Sequence, residues 1–115
     1  MTEKTIFKRI LDGEIPANIV YETDNVLAFH DVAPQAPVHV VIIPKKEISK
    51  LSDSTNDDTQ LLGELLQAAR EIARSFSVDE SGFRVVINNG QAASQTVFHL
   101  HVHLLGGREF TWPPG

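Results

Sequence analysis

The amino-acid sequence predicts an α+β domain in which a five-stranded antiparallel sheet packs with one long and one short helix. Five segments have the alternation or the β-branched composition typical of strands, and most are joined by short loops. A single stretch has apolar residues at the spacing of a long helix, and a shorter helical pattern precedes the first strand. The 115 residues suit one domain that spans the whole chain, 1–115.

The first half of the chain predicts a short helix followed by three strands. The helix covers residues 5–12, with Thr5 as the N-cap and Gly13 as the stop, and Pro16 prevents its continuation. Strands are predicted at residues 19–23, 26–30 and 38–44. A turn at residues 24–25 joins the first two strands as a hairpin.

The second half predicts the long helix and two more strands. Apolar residues recur at three- and four-residue spacing over residues 57–76, which indicates an amphipathic helix whose apolar stripe belongs to the core. Residues 83–89 form the next predicted strand, and residues 90–96 form a loop of small and polar residues. The last predicted strand covers residues 98–105.

Three of the five histidines alternate with apolar residues in that last strand: His99, His101 and His103. A period of two places the imidazoles on one face and the intervening leucine and valine side chains in the core. Any polar residue would serve a solvated face, so three histidines suggest chemistry. His39 stands alone in the apolar strand 38–44, and by itself such a histidine is more often a core residue.

Composition excludes several functions. The net charge of -5 argues against a nucleic acid or an anionic membrane as partner, and the absence of cysteine excludes disulfides and thiolate chemistry. The start of the chain, Met1 to Lys4, leads into a polar segment with no signal-peptide core. No apolar run approaches the roughly 18 residues of a membrane span, so we expect a cytoplasmic protein.

Three uses of the histidine strand remain open from the residues alone. Metal binding is disfavoured because same-face positions lie about 6.6 Å apart along a strand, and the motif offers no acidic residue as a base. A neutral imidazole at His101 is suited to attack phosphorus or an acyl carbon, with its neighbours donating hydrogen bonds. The third use is structural, with the histidines bonded to one another and to backbone carbonyls.

The segment from His99 to Leu105 resembles the histidine-triad (HIT) signature, in which histidines alternate with apolar residues. The similarity extends over nearly the whole chain and is to the Hint branch, the histidine-triad nucleotide-binding proteins. The other matching segments are Thr5-Ile6-Phe7, Glu14-Ile15-Pro16, Ala28-Phe29-His30-Asp31, Pro34-Gln35-Ala36-Pro37 with His39, Ile43-Pro44-Lys45, and Gly106-Gly107-Arg108 through Trp112-Pro113-Pro114-Gly115.

This resemblance implies a homodimer whose two sheets join into one, and a purine nucleoside phosphoramidate hydrolase that needs no cofactor. His101 would attack the α-phosphorus, displace the amine and form a covalent nucleotidyl intermediate, from which water releases the nucleoside monophosphate. His99 and His103 would flank the phosphate. His39 would belong to the hydrogen-bond relay that orients His101.

The resemblance also implies a nucleotide-binding site. Asp31 would bind the ribose hydroxyls, and Trp112 would approach the partner subunit's active site. The phosphate would be contacted by Asn88, Ser94 and Thr96. The purine base would be held by Ile6, Phe7, Ile10, Phe29 and Val32.

Three positions depart from the family pattern. Ala93 and Ser94 stand where the family usually has two glycines, so a Cβ there limits positive φ and close backbone approach to a phosphate. Thr96 stands where serine is common. Two alternative functions remain: a dinucleoside polyphosphate hydrolase or nucleotidyl transferase that uses the same histidine, and a nucleotide-binding regulatory module whose activity is incidental.

Overall fold

The computed structural model describes residues 3–115, and their strands form one five-stranded sheet with a helix packed on each face. Met1 and Thr2, where the predicted polar start begins, lie outside the described residues. The strands are β1 (Ile19–Glu22), β2 (Val26–His30), β3 (Val38–Pro44), β4 (Phe83–Val86) and β5 (Val102–Gly106), and the helices are α1 (Ile6–Leu11) and α2 (Thr59–Ser75).

The sheet has the strand order β1-β2-β3-β5-β4, and every neighbouring pair is antiparallel. This confirms the predicted α+β fold class, with one long and one short helix. In the register between β3 and β5, Val41 is opposite His103 and His39 is opposite Leu105. Because same-face neighbours on paired strands are close, this register brings His39 and His103 together from distant parts of the sequence.

Both predicted ends of α1 are confirmed. The side chain of Thr5 accepts a hydrogen bond from the backbone N–H of Lys8 at 3.1 Å, which satisfies an otherwise unpaired donor at the helix N-terminus. Gly13 follows the helix with a φ of +74°, in the left-handed region that glycine adopts without strain. The helix is therefore as short as its sequence signals predict.

Helix α2 starts two residues later than predicted because a capped 3-10 turn precedes it. Thr55 and Asp58 form a capping box around a 3-10 turn at Asn56–Asp58, and the α-helix begins after this turn. The helix buries five residues, namely Leu65, Ala68, Ala69, Ile72 and Ala73. They pack on one face of the sheet against Val40, Ile42, Leu100, Val102 and Leu104. Each fully buried leucine or isoleucine contributes roughly 2 kcal/mol by removal of apolar surface from water.

The opposite face of the sheet packs against α1. Phe7 from this helix contacts a second apolar cluster, formed with Leu27, Phe29, Val41 and Ile43. These residues alternate along β2 and β3 with those that face α2, as the period of a strand requires. His39 belongs to the same alternation as Val41 and Ile43, and therefore lies on the α1 face.

The last two strands are shorter than predicted. The predicted strand at residues 98–105 begins only at Val102, because the backbone before it bonds elsewhere. The N–H of Leu100 donates to the carbonyl of Ile48 at 2.7 Å, and the carbonyl of His99 accepts from a histidine ring. The predicted strand at residues 83–89 ends at Val86. The side chains of residues 98–101 still alternate between the two faces, although these residues precede the strand itself.

Membrane crossing by a helix requires both length and an apolar composition. No helix among residues 3–115 combines the two.

Candidate active site

His101 lies in the extended segment before β5 and is only 6% exposed. Its Nδ1 atom is 2.8 Å from the carbonyl oxygen of His99. A carbonyl oxygen can only accept, so we assign the proton of the neutral ring to Nδ1. Nε2 then has an unprotonated lone pair. Burial lowers the pKa of His101, which keeps the ring neutral at pH 7.

His39 and His103 form a relay across β3 and β5, with His39 Nε2 located 2.9 Å from His103 Nδ1. The backbone N–H of Gln35 donates to His39 Nδ1 at 3.0 Å. Because Nδ1 accepts, the neutral ring of His39 has its proton on Nε2 and donates it to His103. His103 Nδ1 is then an acceptor, and the proton of His103 is on Nε2. The relay therefore ends in an N–H donor.

The two catalytic candidates lie side by side, since the ring centroids of His101 and His103 are 5.0 Å apart. Burial, together with the neighbouring His101 and His39 rings, lowers the pKa of His103 to about 4. Burial also lowers the pKa of His39, and the carboxylate of Asp31 opposes this effect. Neutral rings thus present a lone pair at His101 next to an N–H at His103. That pair is suited to nucleophilic attack with hydrogen bonding to developing negative charge.

His99 has a different position from the other two triad histidines. It is 2% exposed, and its Nε2 donates to the carbonyl oxygen of Pro44 at 2.7 Å. Burial lowers its pKa. Its backbone carbonyl accepts from the ring of His101, so His99 orients that ring through the main chain. Its predicted place beside a phosphate stays a prediction.

Asp31, His39 and His103 are close enough to be considered as a metal site, since their candidate ligand atoms lie within 4.8 Å of one another. The hydrogen bonds favour the relay instead. Gln35 donates to His39 Nδ1, so a neutral His39 has its only lone pair engaged there and none on Nε2. Metal ligation through Nε2 would require the hydrogen bond from Gln35 to break so that the proton could move to Nδ1, or the neutral ring to lose its one N–H proton.

A cavity of about 500 Å³ opens between α1 and the ends of β2 and β3, a volume in the range of small-ligand sites. Its lining includes five residues that the sequence assigned to the nucleoside: Ile6, Ile10, Phe29, Asp31 and Val32. Phe7 does not line it. Its ring packs edge-on against Phe29, at 5.5 Å, and against His101, at 5.0 Å, so Phe7 supports both the cavity wall and the ring of His101.

Asp31 connects this cavity to the relay. One carboxylate oxygen accepts from the backbone N–H of Ala33 at 2.8 Å, and the other lies 3.4 Å from His39 Nε2. The carboxylate is therefore fixed at the cavity wall by its own turn. Val32, the next residue, is 99% exposed and can contact a ligand from the solvent side.

The loop before the triad is the predicted phosphate-binding segment. Ser94 and Thr96 are exposed on it, and Ser94 has a φ of +67°, in the left-handed region that favours glycine. Asn88 is half-buried beyond the end of β4. Val86 is paired with His103, so Asn88 lies two residues farther along, in the direction of His101.

A sequence model of the HIT domain matches residues 12–110, which include His39 and the three triad histidines. The chain belongs to the HIT-domain family. An uncharacterized HIT-like protein of Synechocystis sp. is 58% identical over 115 residues, which is 100% of both chains.

Two solved HIT structures are also similar over most of their length. A HIT family hydrolase from Legionella pneumophila Philadelphia 1 has 47% sequence identity and a TM-score of 0.95, over 97% of this chain and 100% of that one. A histidine triad nucleotide-binding protein from Candida albicans has 34% identity and a TM-score of 0.82, over 96% and 83% of the two chains.

Sequence reasoning missed two glutamines in this HIT protein. The buried Gln95 accepts from the N–H of Gly90 at 2.7 Å and donates to the carbonyls of Ser49 and Val97, which fixes the loop before the triad. Gln35 acts through its backbone N–H. An isolated glutamine in a polar loop gives no sequence signal for either role.

Two strand residues of the cavity wall, His30 and Val41, were not predicted. The other missed part of the wall is the segment 15–18, which follows α1. Its sequence signal is Pro16, because a proline cannot continue the helix and so marks a non-helical segment directly after it. The exposed tail residue Trp112 is not among the residues that line this cavity. Its predicted approach to a partner subunit stays a prediction.

Proposed function

We propose that the protein hydrolyses the P–N bond of purine nucleoside 5'-phosphoramidates through a covalent nucleotidyl intermediate on His101. The observation that supports this most directly is the hydrogen bond from His101 Nδ1 to the carbonyl of His99. With the proton held on Nδ1, Nε2 of the neutral ring keeps an unprotonated lone pair. This is the form of imidazole that attacks phosphorus. The proposal places the protein in the Hint branch of the HIT family, as one domain over residues 1–115.

In the first step Nε2 of His101 attacks the α-phosphorus, a P–N bond to histidine forms, and the bond to the amine breaks. The departing amine takes up one proton. In the second step water attacks the phosphorus, the bond to His101 breaks, and the nucleoside monophosphate leaves with release of one proton. The His99 carbonyl holds Nδ1–H throughout, which stabilises the positive charge on the nucleotidylated ring.

His103 is the proposed donor to the phosphate oxygens. Its Nε2–H is the free end of the relay from Gln35 through His39. A preorganised donor of this kind stabilises charge that develops on the oxygens in the transition state. Ser94, Thr96 and Asn88 would add contacts to the phosphate from the loop side.

The nucleoside would occupy the cavity whose wall includes Asp31, the residue that contacts His39. Ile6, Ile10, Phe29 and Val32 offer apolar contacts for a purine, and Asp31 offers carboxylate oxygens for the ribose hydroxyls. The side chains proposed to contact the purine are apolar and offer few hydrogen bonds, so adenine and guanine are expected to bind with similar affinity. The Candida albicans relative is a histidine triad nucleotide-binding protein and the Legionella relative is a HIT family hydrolase, which supports this substrate class.

A homodimer belongs to the proposal. β4 is an edge strand, and its Phe83 and Val85 side chains are 38% and 36% exposed. An unpaired edge with apolar side chains favours pairing with a second copy, so that two sheets become one. Trp112, 82% exposed on the tail, would then reach toward the partner subunit's active site. Sedimentation velocity tests for the dimer, and a monomer at micromolar concentration would contradict it.

The proposed location of the protein is the cytoplasm, where a chain without cysteine needs no oxidising environment.

Mass spectrometry of the protein during turnover of adenosine 5'-phosphoramidate tests the reaction. The sample is quenched under alkaline denaturing conditions, because P–N bonds hydrolyse in acid. We expect an added adenylyl group on the peptide that contains His101, and release of AMP that is unchanged by EDTA. Activity lost with EDTA and restored by zinc would contradict the proposal. Faster turnover of a diadenosine polyphosphate would favour the dinucleoside polyphosphate hydrolase. Nucleotide binding without turnover would favour the regulatory module.

A further inference from the structure

The segment Pro34-Gln35-Ala36-Pro37 offers only two backbone donors, because proline has no N–H. One of them, the N–H of Gln35, donates to His39 Nδ1 at 3.0 Å. This bond and the Asp31 carboxylate oxygen, 3.4 Å from His39 Nε2, both favour the proton of His39 on Nε2, the tautomer in which His103 presents a donor to the substrate. The position of one backbone N–H is therefore one of two contacts that bias the polarity of the whole relay.

The Gln35 residue is fixed by contacts on its other atoms. Its carbonyl oxygen accepts from Nε of Arg108 at 3.0 Å, and its side-chain amide donates to the carbonyl of Ala33 at 3.0 Å. Arg108 follows β5, 73 residues away in the sequence, so this contact exists only in the folded chain. It ties the turn that contains Gln35 to the end of the strand that contains His103.

The chain brings Arg108 to Gln35 by a close approach of backbone. Gly107 has a φ of +87°, and a Cβ built on it would lie 3.0 Å from the Cβ of Pro37. Only glycine fits both the conformation and the contact. The guanidinium of Arg108 also lies 4.2 Å from the centre of the Phe110 ring, which restricts its orientation.

We propose that Arg108 is a positioning residue that sets the tautomer of His39 through Gln35. Arg108 holds the Gln35 carbonyl, and the Gln35 N–H holds His39 Nδ1 as an acceptor. His39 then donates to His103, and His103 donates to the substrate. Without Arg108, the Gln35 N–H is no longer fixed against His39, and the tautomer with the proton on Nδ1 becomes populated. In that tautomer His103 must donate back to His39, and its Nε2 faces the substrate as an acceptor.

The test compares Arg108→Met with Arg84→Met. Both substitutions remove one guanidinium that contacts Phe110, but Arg84 donates to the carbonyl of Thr111 and not to Gln35. Long-range proton–nitrogen NMR spectra report the protonation of each histidine nitrogen, with His39 assigned from its own glutamine variant. We expect the proton of His39 on Nε2 in the wild type and in Arg84→Met, and a mixture of tautomers in Arg108→Met.

The kinetic readout rests on the proposed phosphoramidase activity, and the NMR readout does not. We expect kcat to fall about tenfold in Arg108→Met with KM within about twofold, because one hydrogen bond to the transition state is weakened. Arg108→Lys, which keeps a charged donor, should recover part of both effects. Should the wild type lack activity, the proposed function fails while the tautomer spectra still test Arg108.

Two results would overturn this assignment. One is a wild-type His39 with its proton on Nδ1. The other is an Arg108→Met protein whose His39 spectrum equals that of the wild type, whatever its activity. If Arg108→Met does not fold, as judged by circular dichroism, Arg108→Ala is compared with Arg84→Ala in the same spectra, and a wild-type His39 spectrum in a folded Arg108→Ala overturns the assignment.

Discussion

The two faces of the central sheet use the same strands for different purposes. On the α2 side, β3 and the triad segment contribute only apolar side chains, including Val40, Ile42 and Leu104, all with 0% exposure. On the α1 side the alternate positions of the same segments contribute His39, His101 and His103. The difference shows that the period of a strand separates packing from chemistry within one segment. Substitutions of adjacent residues should therefore affect stability and activity separately.

The largest expected effect is on the α1 side, from His101→Ala. This variant removes the proposed nucleophile, so turnover of adenosine 5'-phosphoramidate should fall by several orders of magnitude, leaving only the contribution of binding. The measurement is steady-state release of AMP, with circular dichroism to confirm folding. Near wild-type turnover by a folded variant would rule out His101 as the nucleophile.

On the α2 side, Leu104→Ala should cost about 3 kcal/mol of unfolding free energy, because it deletes buried methyl groups and leaves a cavity. Leu104 is adjacent to His103 but faces the opposite way. Urea denaturation measures the loss, and kcat at low temperature should stay within about threefold of the wild type. A large loss of kcat in the folded variant would show that the two faces are not independent.

Acid should destabilise the histidine face in particular. The folded protein lowers the pKa of His103 to about 4, whereas the unfolded chain has the ordinary value of 6.5. Between these values the unfolded state binds more protons, so the free energy of unfolding falls as the pH drops from 6.5 toward 4. Urea midpoints across this range should decrease less steeply for His103→Gln than for the wild type. An equal slope in both proteins would contradict the lowered pKa.

The smallest expected effect is in the turn before the histidines. Ser94 has a left-handed φ of +67°, whereas Ala93 is in a 3-10 turn and is not among the positive-φ residues. Ser94→Gly should therefore stabilise the fold by up to about 1 kcal/mol, and Ala93→Gly should destabilise it by a similar amount. Thermal unfolding compares the two. Stabilisation by both substitutions, or by neither, would show that the backbone conformation does not decide the effect.

Much of the fold followed from local patterns. The N-cap at Thr5 and the stop at Gly13 confirm the predicted limits of α1, and strands β2 and β3 have their predicted bounds. The limits of the final strand did not follow, because Leu100 bonds to Ile48 outside the sheet. A pattern of alternating side chains reports which way residues face, and says nothing about where their backbone hydrogen bonds go.

The sequence by itself determined which side chains share a face, since alternation depends only on the geometry of an extended chain. It also identified the three triad histidines, His39 and five residues of the cavity wall through their resemblance to the HIT family. The tertiary structure decided how the histidines differ. His99 is buried against Pro44, His101 is bonded to a carbonyl, and His103 is bonded to His39. These differences depend on partners from distant segments, because the tautomer of an imidazole follows from what each nitrogen meets in the folded protein.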